Sequence, residues 1–95
     1  MVYSISIHRP KPEHVQEVID SMHRYGEAAR AQPGLVQVHT LRARDEDPPV
    51  LIGLAVWETA EAKAAAGDAL AAAVAGDRFD EWDTRPIEGF LAEEV

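Results

Sequence analysis

Cysteine is absent from this 95-residue chain, and no long apolar run is present. Without cysteine, neither a disulfide nor a thiolate metal site can reinforce the fold. No stretch approaches the ~20 apolar residues that cross a bilayer, and the N-terminus lacks the basic start and long apolar region of a signal peptide. The sequence therefore predicts a cytoplasmic protein with no membrane contact.

Basic residues are also few: 9 Lys and Arg stand against 17 Asp and Glu, for a formal net charge of −8. A domain that binds nucleic acid needs a basic stripe to displace phosphate counterions, and here the bases are scattered. We therefore expect no nucleic-acid partner. The histidines lie at irregular intervals, at His8, His14, His23 and His39, so we expect no metal site either.

The length indicates a single domain over residues 1–95. A chain of this size buries only roughly 60–65% of its extended surface, so its core is thin. Because no covalent cross-link is available, association with another chain is the expected supplement.

Alternation of apolar and polar residues predicts a first strand over Val2–His8. Apolar residues at spacings of three and four then predict an amphipathic helix, which ends near Gly34. Two apolar segments, Leu35 to Ala43 and Val50 to Glu58, are separated by a polar turn and are typical of an antiparallel hairpin.

The remaining third of the chain predicts a second helix and a last strand. Thr59 can cap an alanine-rich helix, and the glycines within it predict a break. The segment "DRFDEWD" predicts a further helical turn that presents Phe79 and Trp82. After Pro86, "IEGFLAEEV" predicts a strand that runs to the C-terminus.

The order strand, helix, strand, strand, helix, strand predicts an α+β, ferredoxin-like fold. We expect a four-stranded antiparallel sheet with the first and third strands central and both helices on one face. The other face stays bare, yet the third strand is apolar in both directions. Homodimerisation through this open face is the simplest way to bury it.

Three segments resemble the antibiotic biosynthesis monooxygenase family of the dimeric α/β-barrel superfamily. They are "RPKPE" after the first strand, "AQPGLVQVHT" at the first helix end, and "LAVWETAEAKAAA" after the hairpin. The resemblance covers nearly the whole chain. It implies that two chains pair their sheets into a barrel, with a cavity between sheet and helices in each subunit. It also implies oxidation of aromatic polyketides or quinols by molecular oxygen without metal, flavin or haem, so no cofactor is expected.

Carried over residue by residue, the resemblance matches Trp57 to the tryptophan that lines the pocket of the polyketide enzymes. Those enzymes hold an asparagine four residues earlier and a tyrosine six residues later, where this chain has Gly53 and Lys63. Haem-degrading relatives use an asparagine on the first strand and a histidine on the second helix. The chain has no asparagine and no histidine after His39, so haem degradation is not expected.

Two histidines are candidates for a catalytic base. If the hairpin registers evenly, His39 shares a face with Gly53 and Trp57, where it could contact a ligand. The alternative is a histidine satisfied at the dimer interface. His23 lies at the edge of the buried stripe of the first helix, and it could equally be half-exposed.

Three aromatic residues are candidates for substrate binding. Trp57 could line the pocket or fill the core. Tyr25 lies at the edge of the first helix and could orient a substrate hydroxyl. Trp82 could act with Phe79 as a lid or as an anchor for its segment. His8 and His14 are interpreted as surface residues.

Two functions are consistent with these patterns. The first is a cofactor-independent monooxygenase that oxidises a phenolic or quinol-type aromatic metabolite, with His39 or His23 as the base. The alternative is a non-catalytic module of the same fold, which binds a small hydrophobic molecule or assembles other components. The missing asparagine and tyrosine favour this alternative.

Overall fold

One antiparallel sheet organises the chain, whose computed structural model describes residues 1–95. The strands are β1 (Val2–His8), β2 (Leu35–Arg42), β3 (Leu51–Trp57) and β4 (Glu88–Ala92). The helices are α1 (Val15–Arg30), α2 (Ala60–Ala65), α3 (Gly67–Ala73) and α4 (Phe79–Trp82), and a 3-10 turn at Pro12–His14 precedes α1.

The strand order is β2-β3-β1-β4, and every neighbouring pair is antiparallel. This confirms the predicted α+β ferredoxin-like fold, with β1 and β3 at the centre. The molecule is 18 Å across in its thinnest direction, as expected for one layer of helices on one sheet. No helix is both long enough and apolar enough to span a bilayer.

The alanine-rich region forms two short helices, α2 and α3, which meet at Ala66. Thr59 caps α2 as predicted, since its Oγ1 accepts a hydrogen bond from the Ala62 amide at 3.0 Å. Gly67 begins α3 at the predicted kind of break, because glycine weakens a continuous helix. The last strand is shorter than predicted and stops at Ala92.

The central strand β1 turns its polar face towards the helices. Ser6 pairs with Gly53 of β3, and a Cβ added to Gly53 would lie 2.5 Å from Ser6 Oγ and 3.4 Å from Met22 Cε. Because side chains alternate along a strand, Ser4 and His8 lie on this same face. His8 is only 5% exposed, so its interpretation as a surface residue is wrong.

An irregularity in β2 places the His39 side chain on the opposite face of the sheet from the one predicted. The register shifts between Leu35 and Gln37, which leaves Val36 as an extra residue. His39 therefore lies opposite Leu54, and Thr40 takes the place opposite Gly53. The prediction that His39 shares a face with Gly53 and Trp57 is wrong, because a shift of one residue moves a side chain to the other face.

The core consists of two separate clusters. One surrounds Trp57 and contains Ala29, Ala55, Ala66 and Leu70. The other contains Val18, Met22 and Leu51, with Phe79 and Trp82 packed against it. Only 14 of 95 residues are buried, so the single chain has the thin core that its length predicts.

Substitution of three glycines by alanine distinguishes the cost of a left-handed backbone from the cost of a steric clash. Gly34 has φ +87, and a Cβ there would lie 2.5 Å from the Cβ of Ala62. Gly76 has φ +88 with open space around it, and Gly67 has open space without a positive φ. We expect Gly34→Ala to lose the most stability and Gly76→Ala about 1–2 kcal/mol from the left-handed conformation. Gly67→Ala should be neutral or slightly stabilising.

Urea denaturation of the three variants measures the order of their stability losses. Equal losses for Gly34→Ala and Gly76→Ala would show that the approach of Gly34 to Ala62 adds nothing to the strain.

Candidate functional site

A cavity of about 230 Å³ lies between the sheet and the helices. Its walls come from both core clusters, since Ala55 belongs to one and Met22 to the other. The cavity therefore occupies the space where the thin core is incomplete. The side chains around it are mainly apolar, with a few hydroxyls: Ser4, Ser6, His8, Ser21, Met22, Tyr25, Val38, Thr40, Ala55, Val74, Phe79 and Ile87.

The loop that follows α3 closes one side of this cavity. Val74 lines the cavity, and Asp77 accepts hydrogen bonds from two residues of α1. Its Oδ2 contacts Ser21 Oγ, and its Oδ1 lies 2.7 Å from Arg24 Nη2. The Asp77 carboxylate thus holds the loop against α1.

One histidine of the cavity wall, His8, belongs to a buried histidine–carboxylate pair. His8 Nδ1 lies 3.2 Å from Asp83 Oδ2, and the two side chains are 6% and 1% exposed. The ring of Phe79 lies 5.3 Å from the His8 ring and covers it. His8 therefore faces the cavity, with Asp83 buried beside it, and both side chains are shielded from bulk water.

Backbone hydrogen bonds fix both members of the pair. The chain after β1 lies beside the chain after α4, with a β-bridge between Pro10 and Asp83. The Lys11 amide donates to the Trp82 carbonyl at 2.7 Å, and the Thr84 amide donates to the Arg9 carbonyl at 2.8 Å. Contacts on both sides of Asp83 thus set its position relative to His8.

Burial keeps His8 neutral. It lowers the pKa of His8, because the cation is disfavoured, although the charge of Asp83 opposes this. Burial also raises the pKa of Asp83, with His8 opposing. A carboxylate can only accept, so the neutral imidazole donates through Nδ1–H and its Nε2 is an acceptor. Such a ring can take a proton from a hydroxyl placed in the cavity.

Tyr25 is the predicted site residue that the structure places in this cavity with His8. It is half-buried on α1, and burial raises the pKa of its hydroxyl. The group therefore stays protonated at neutral pH and can donate a hydrogen bond to a ligand oxygen.

Neither tryptophan belongs to the cavity wall. Trp57 is 0% exposed at the centre of its cluster, where it packs with Tyr25 and Ala55, and its buried Nε1 has no hydrogen-bond partner. Trp82 packs against the other cluster and meets Phe79 edge-on, with centroids 5.6 Å apart. Neither side chain lines the cavity, and their substrate-binding roles stay predictions.

A more open polar groove of about 380 Å³ between α1 and β2 is bordered by His23 and by the His39 segment of β2, although the His39 side chain faces the open side of the sheet with Leu54. Both histidines are exposed, and His39 also reaches the rim of the main cavity. His39 Nε2 lies 3.3 Å from Gln37 Oε1 on the same strand. The structure therefore separates these histidines from the buried pair, and their catalytic roles stay predictions.

Sequence reasoning missed His8 and Asp83. One signal for His8 was present, because it continues the polar face of Ser4 and Ser6 while the opposite face of β1 is apolar. If the apolar face is the open one, the polar face must lie under the helices. No local signal marks Asp83, which lies 75 residues from His8 in the chain. No cluster of three or more potential metal ligands is present.

The architecture is shared with several solved structures. Rv0793 from Mycobacterium tuberculosis has a TM-score of 0.83 at 16% identity over 99% of this chain and 94% of that one. A putative antibiotic biosynthesis monooxygenase from Nitrosomonas europaea has a TM-score of 0.79 at 17% identity, over 100% and 99% of the two chains. A mutant of SnoaB, a cofactor-independent oxygenase from Streptomyces nogalater, has a TM-score of 0.79 at 21% identity, over 98% of this chain and 91% of that one.

These similarities show the fold, which is a ferredoxin-like α+β domain. The sequence model of the family described as antibiotic biosynthesis monooxygenase matches residues 1–82. The chain belongs to this family. No protein of curated function matches its sequence.

The buried state of His8 predicts a pH-dependent stability. The unfolded chain protonates His8 near its ordinary pKa of about 6.5, whereas the folded chain resists protonation. The unfolded state thus binds more protons as pH falls below this value, and the folded state loses stability. Between about pH 7 and pH 5, the free energy of unfolding should fall less steeply in His8→Gln than in the wild type.

His23→Gln is the matched control and should keep the wild-type slope, because His23 is exposed. The raised pKa of Asp83 has the opposite effect on the pH dependence of stability, since it favours the folded state at low pH. The comparison is therefore repeated in the Asp83→Asn background. If His8→Gln leaves the dependence of the unfolding free energy on pH unchanged, both with Asp83 present and in the Asp83→Asn background, a neutral, buried His8 is contradicted.

Proposed function

We propose that this protein is a cofactor-independent monooxygenase that oxidises a small phenolic aromatic molecule bound between the sheet and α1. The observation that carries this proposal is the cavity of about 230 Å³, which combines apolar walls with hydroxyl groups and a buried imidazole. Apolar walls with a few placed polar groups are typical of small-molecule sites. Membership of the family supports the same chemistry.

The size of the cavity favours a substrate of one or two rings. Drug-sized ligands occupy pockets of roughly 300–1,000 Å³, so this cavity lies below that range. Ser4, Ser6 and Thr40 supply hydroxyls along the sheet, and Tyr25 supplies one from α1. A ring would pack between Met22 and the sheet, with its oxygen substituents turned towards these hydroxyls.

The reaction needs no electron carrier beyond oxygen. A phenol that loses its proton becomes electron-rich and can transfer an electron to O₂, and recombination forms a carbon–oxygen bond. Loss of water then yields a quinone: the ring C–H and the O–H are lost, one oxygen atom becomes a carbonyl, and the other leaves as water. The protein contributes a dry site, hydrogen bonds and a proton acceptor.

The non-catalytic alternative keeps one specific observation in its favour. Gly53 and Lys63 stand where the polyketide enzymes hold asparagine and tyrosine. The Ser6 hydroxyl occupies the space that a side chain at position 53 would need, because a Cβ there would lie 2.5 Å from Ser6 Oγ. In this second candidate function, the same cavity binds a small hydrophobic molecule without reacting with it.

Oxygen uptake distinguishes the two functions. With a panel of one- and two-ring phenols and quinols under air, we expect the wild type to consume oxygen and release the matching quinone. Thr40→Phe places a ring in the cavity and should reduce the rate at least tenfold. Ala72→Phe, which adds the same ring at an exposed position of α3 outside the cavity, is the matched control and should retain the wild-type rate. No uptake above that of Thr40→Phe for any compound would favour the binding module.

We also propose that the protein is a homodimer formed through the open face of the sheet. On this face Ile5 of β1 lies between Leu54 of β3 and Phe90 of β4. Leu41 and Phe90 are 43% and 52% exposed in the single chain. Such a contiguous apolar surface is unusual for a monomer, and a second copy of the same face would cover it.

Light scattering at micromolar concentration measures the assembly. We expect a dimer for the wild type and dissociation for Ile5→Glu, because two buried carboxylates would meet at the centre of the interface. Ala72→Glu adds the same charge on an exposed position of α3 and should remain dimeric. A monomeric wild type would contradict the proposal.

A further inference from the structure

We propose that His8 is the catalytic base that accepts the proton of a phenolic substrate, and that Asp83 positions its imidazole. The inference rests on the proposed function for the reaction that follows, but binding and proton transfer are measured without it. In this step the substrate O–H bond breaks and the proton passes to His8 Nε2. The electron pair stays on the substrate oxygen, which becomes a phenolate.

The position of His8 supports this role. It is the last residue of β1 and lies on the strand face that lines the cavity, two residues from Ser6. Its Nδ1 is engaged by Asp83 Oδ2, so Nε2 is the nitrogen left for a ligand. His23 and His39 are exposed in or at a separate groove and have no such carboxylate partner.

Asp83 is difficult to explain as a structural residue. A carboxylate that is 1% exposed is costly to bury, and His8 is its one side-chain partner, because Asp83 Oδ1 has none. Arg9, which follows His8 in the chain, contacts Glu88 instead of Asp83. A carboxylate behind a histidine fixes the tautomer and stabilises the imidazolium that forms when the ring takes a proton.

The pair also accounts for how this chain departs from the polyketide enzymes. Gly53 leaves the helix side of β3 without a polar side chain at that position, and His8 supplies a polar group from the adjacent strand β1. Asp83 lies just beyond residues 1–82, which the family model matches. The positioning residue therefore lies outside the matched segment.

The base is tested with 4-nitrophenol, whose phenolate absorbs visible light and whose neutral form does not. The titration is done without oxygen, at a pH at which the free probe is mainly protonated. We expect saturable appearance of the phenolate band with the wild type. His8→Gln should reduce the bound phenolate fraction at least tenfold while binding of the neutral probe persists, measured by equilibrium dialysis.

Further variants distinguish the role of the base, His8, from that of the positioning residue, Asp83. Asp83→Asn should lower the phenolate fraction severalfold, and ¹⁵N NMR should show His8 changing from the Nδ1-protonated form to a mixture of tautomers. His14→Gln is the control and should behave as the wild type. Asp83→Asn also carries the test if His8→Gln fails to fold.

Three results would overturn the inference: no bound phenolate with the wild type at saturating probe, an unchanged band in both His8→Gln and Asp83→Asn, or loss of the band in His39→Gln alone. Failure of the proposed function looks different. A phenolate that depends on His8, without oxygen uptake for any phenol, would leave the base in place and remove the oxygenase.

Discussion

The structure depends on the orientation of β1, which presents its polar face to the helices and its apolar face to the open side of the sheet. Ser4, Ser6 and His8 thereby enter the space under α1, while Ile5 and Ile7 lie on the open side of the sheet and are only half-buried. Here the arrangement leaves a hollow with hydroxyls on its floor and an apolar surface that a single copy cannot bury.

Packing around the hollow comes mainly from two places. Trp57 fills one end of the layer between sheet and helices, because small residues such as Ala29, Ala55 and Ala66 allow the elements to approach it. Val18, Met22 and Leu51 fill the other end. Since each cluster is small, the space between them stays open, and the site is a consequence of how little apolar volume the chain contains.

The buried pair of His8 and Asp83 adds a polar element that does not favour stability. Removing a carboxylate from water costs more than one neutral hydrogen bond returns, and the second oxygen of Asp83 is left unpaired. The backbone contacts between residues 9–11 and 82–84 hold the pair together despite this cost. Groups kept at such a cost are concentrated at functional sites.

The sequence alone was sufficient for the elements, their order and the fold class. Local physical chemistry acts over a few residues: alternation marks β1, spacings of three and four mark α1, Thr59 caps α2, and Gly34 takes the positive φ of the turn before β2. Once the elements are known, crossover handedness places β1 and β3 at the centre of the sheet.

Only the tertiary structure decided which side chains meet. One extra residue near Val36 turns His39 away from Gly53, and no local pattern announces such a bulge. Asp83 reaches His8 because the segment after α4 pairs with the segment after β1, across 75 residues of sequence. Periodicity along a chain is a local property, whereas the composition of a cavity depends on register and long-range pairing, which the whole fold determines.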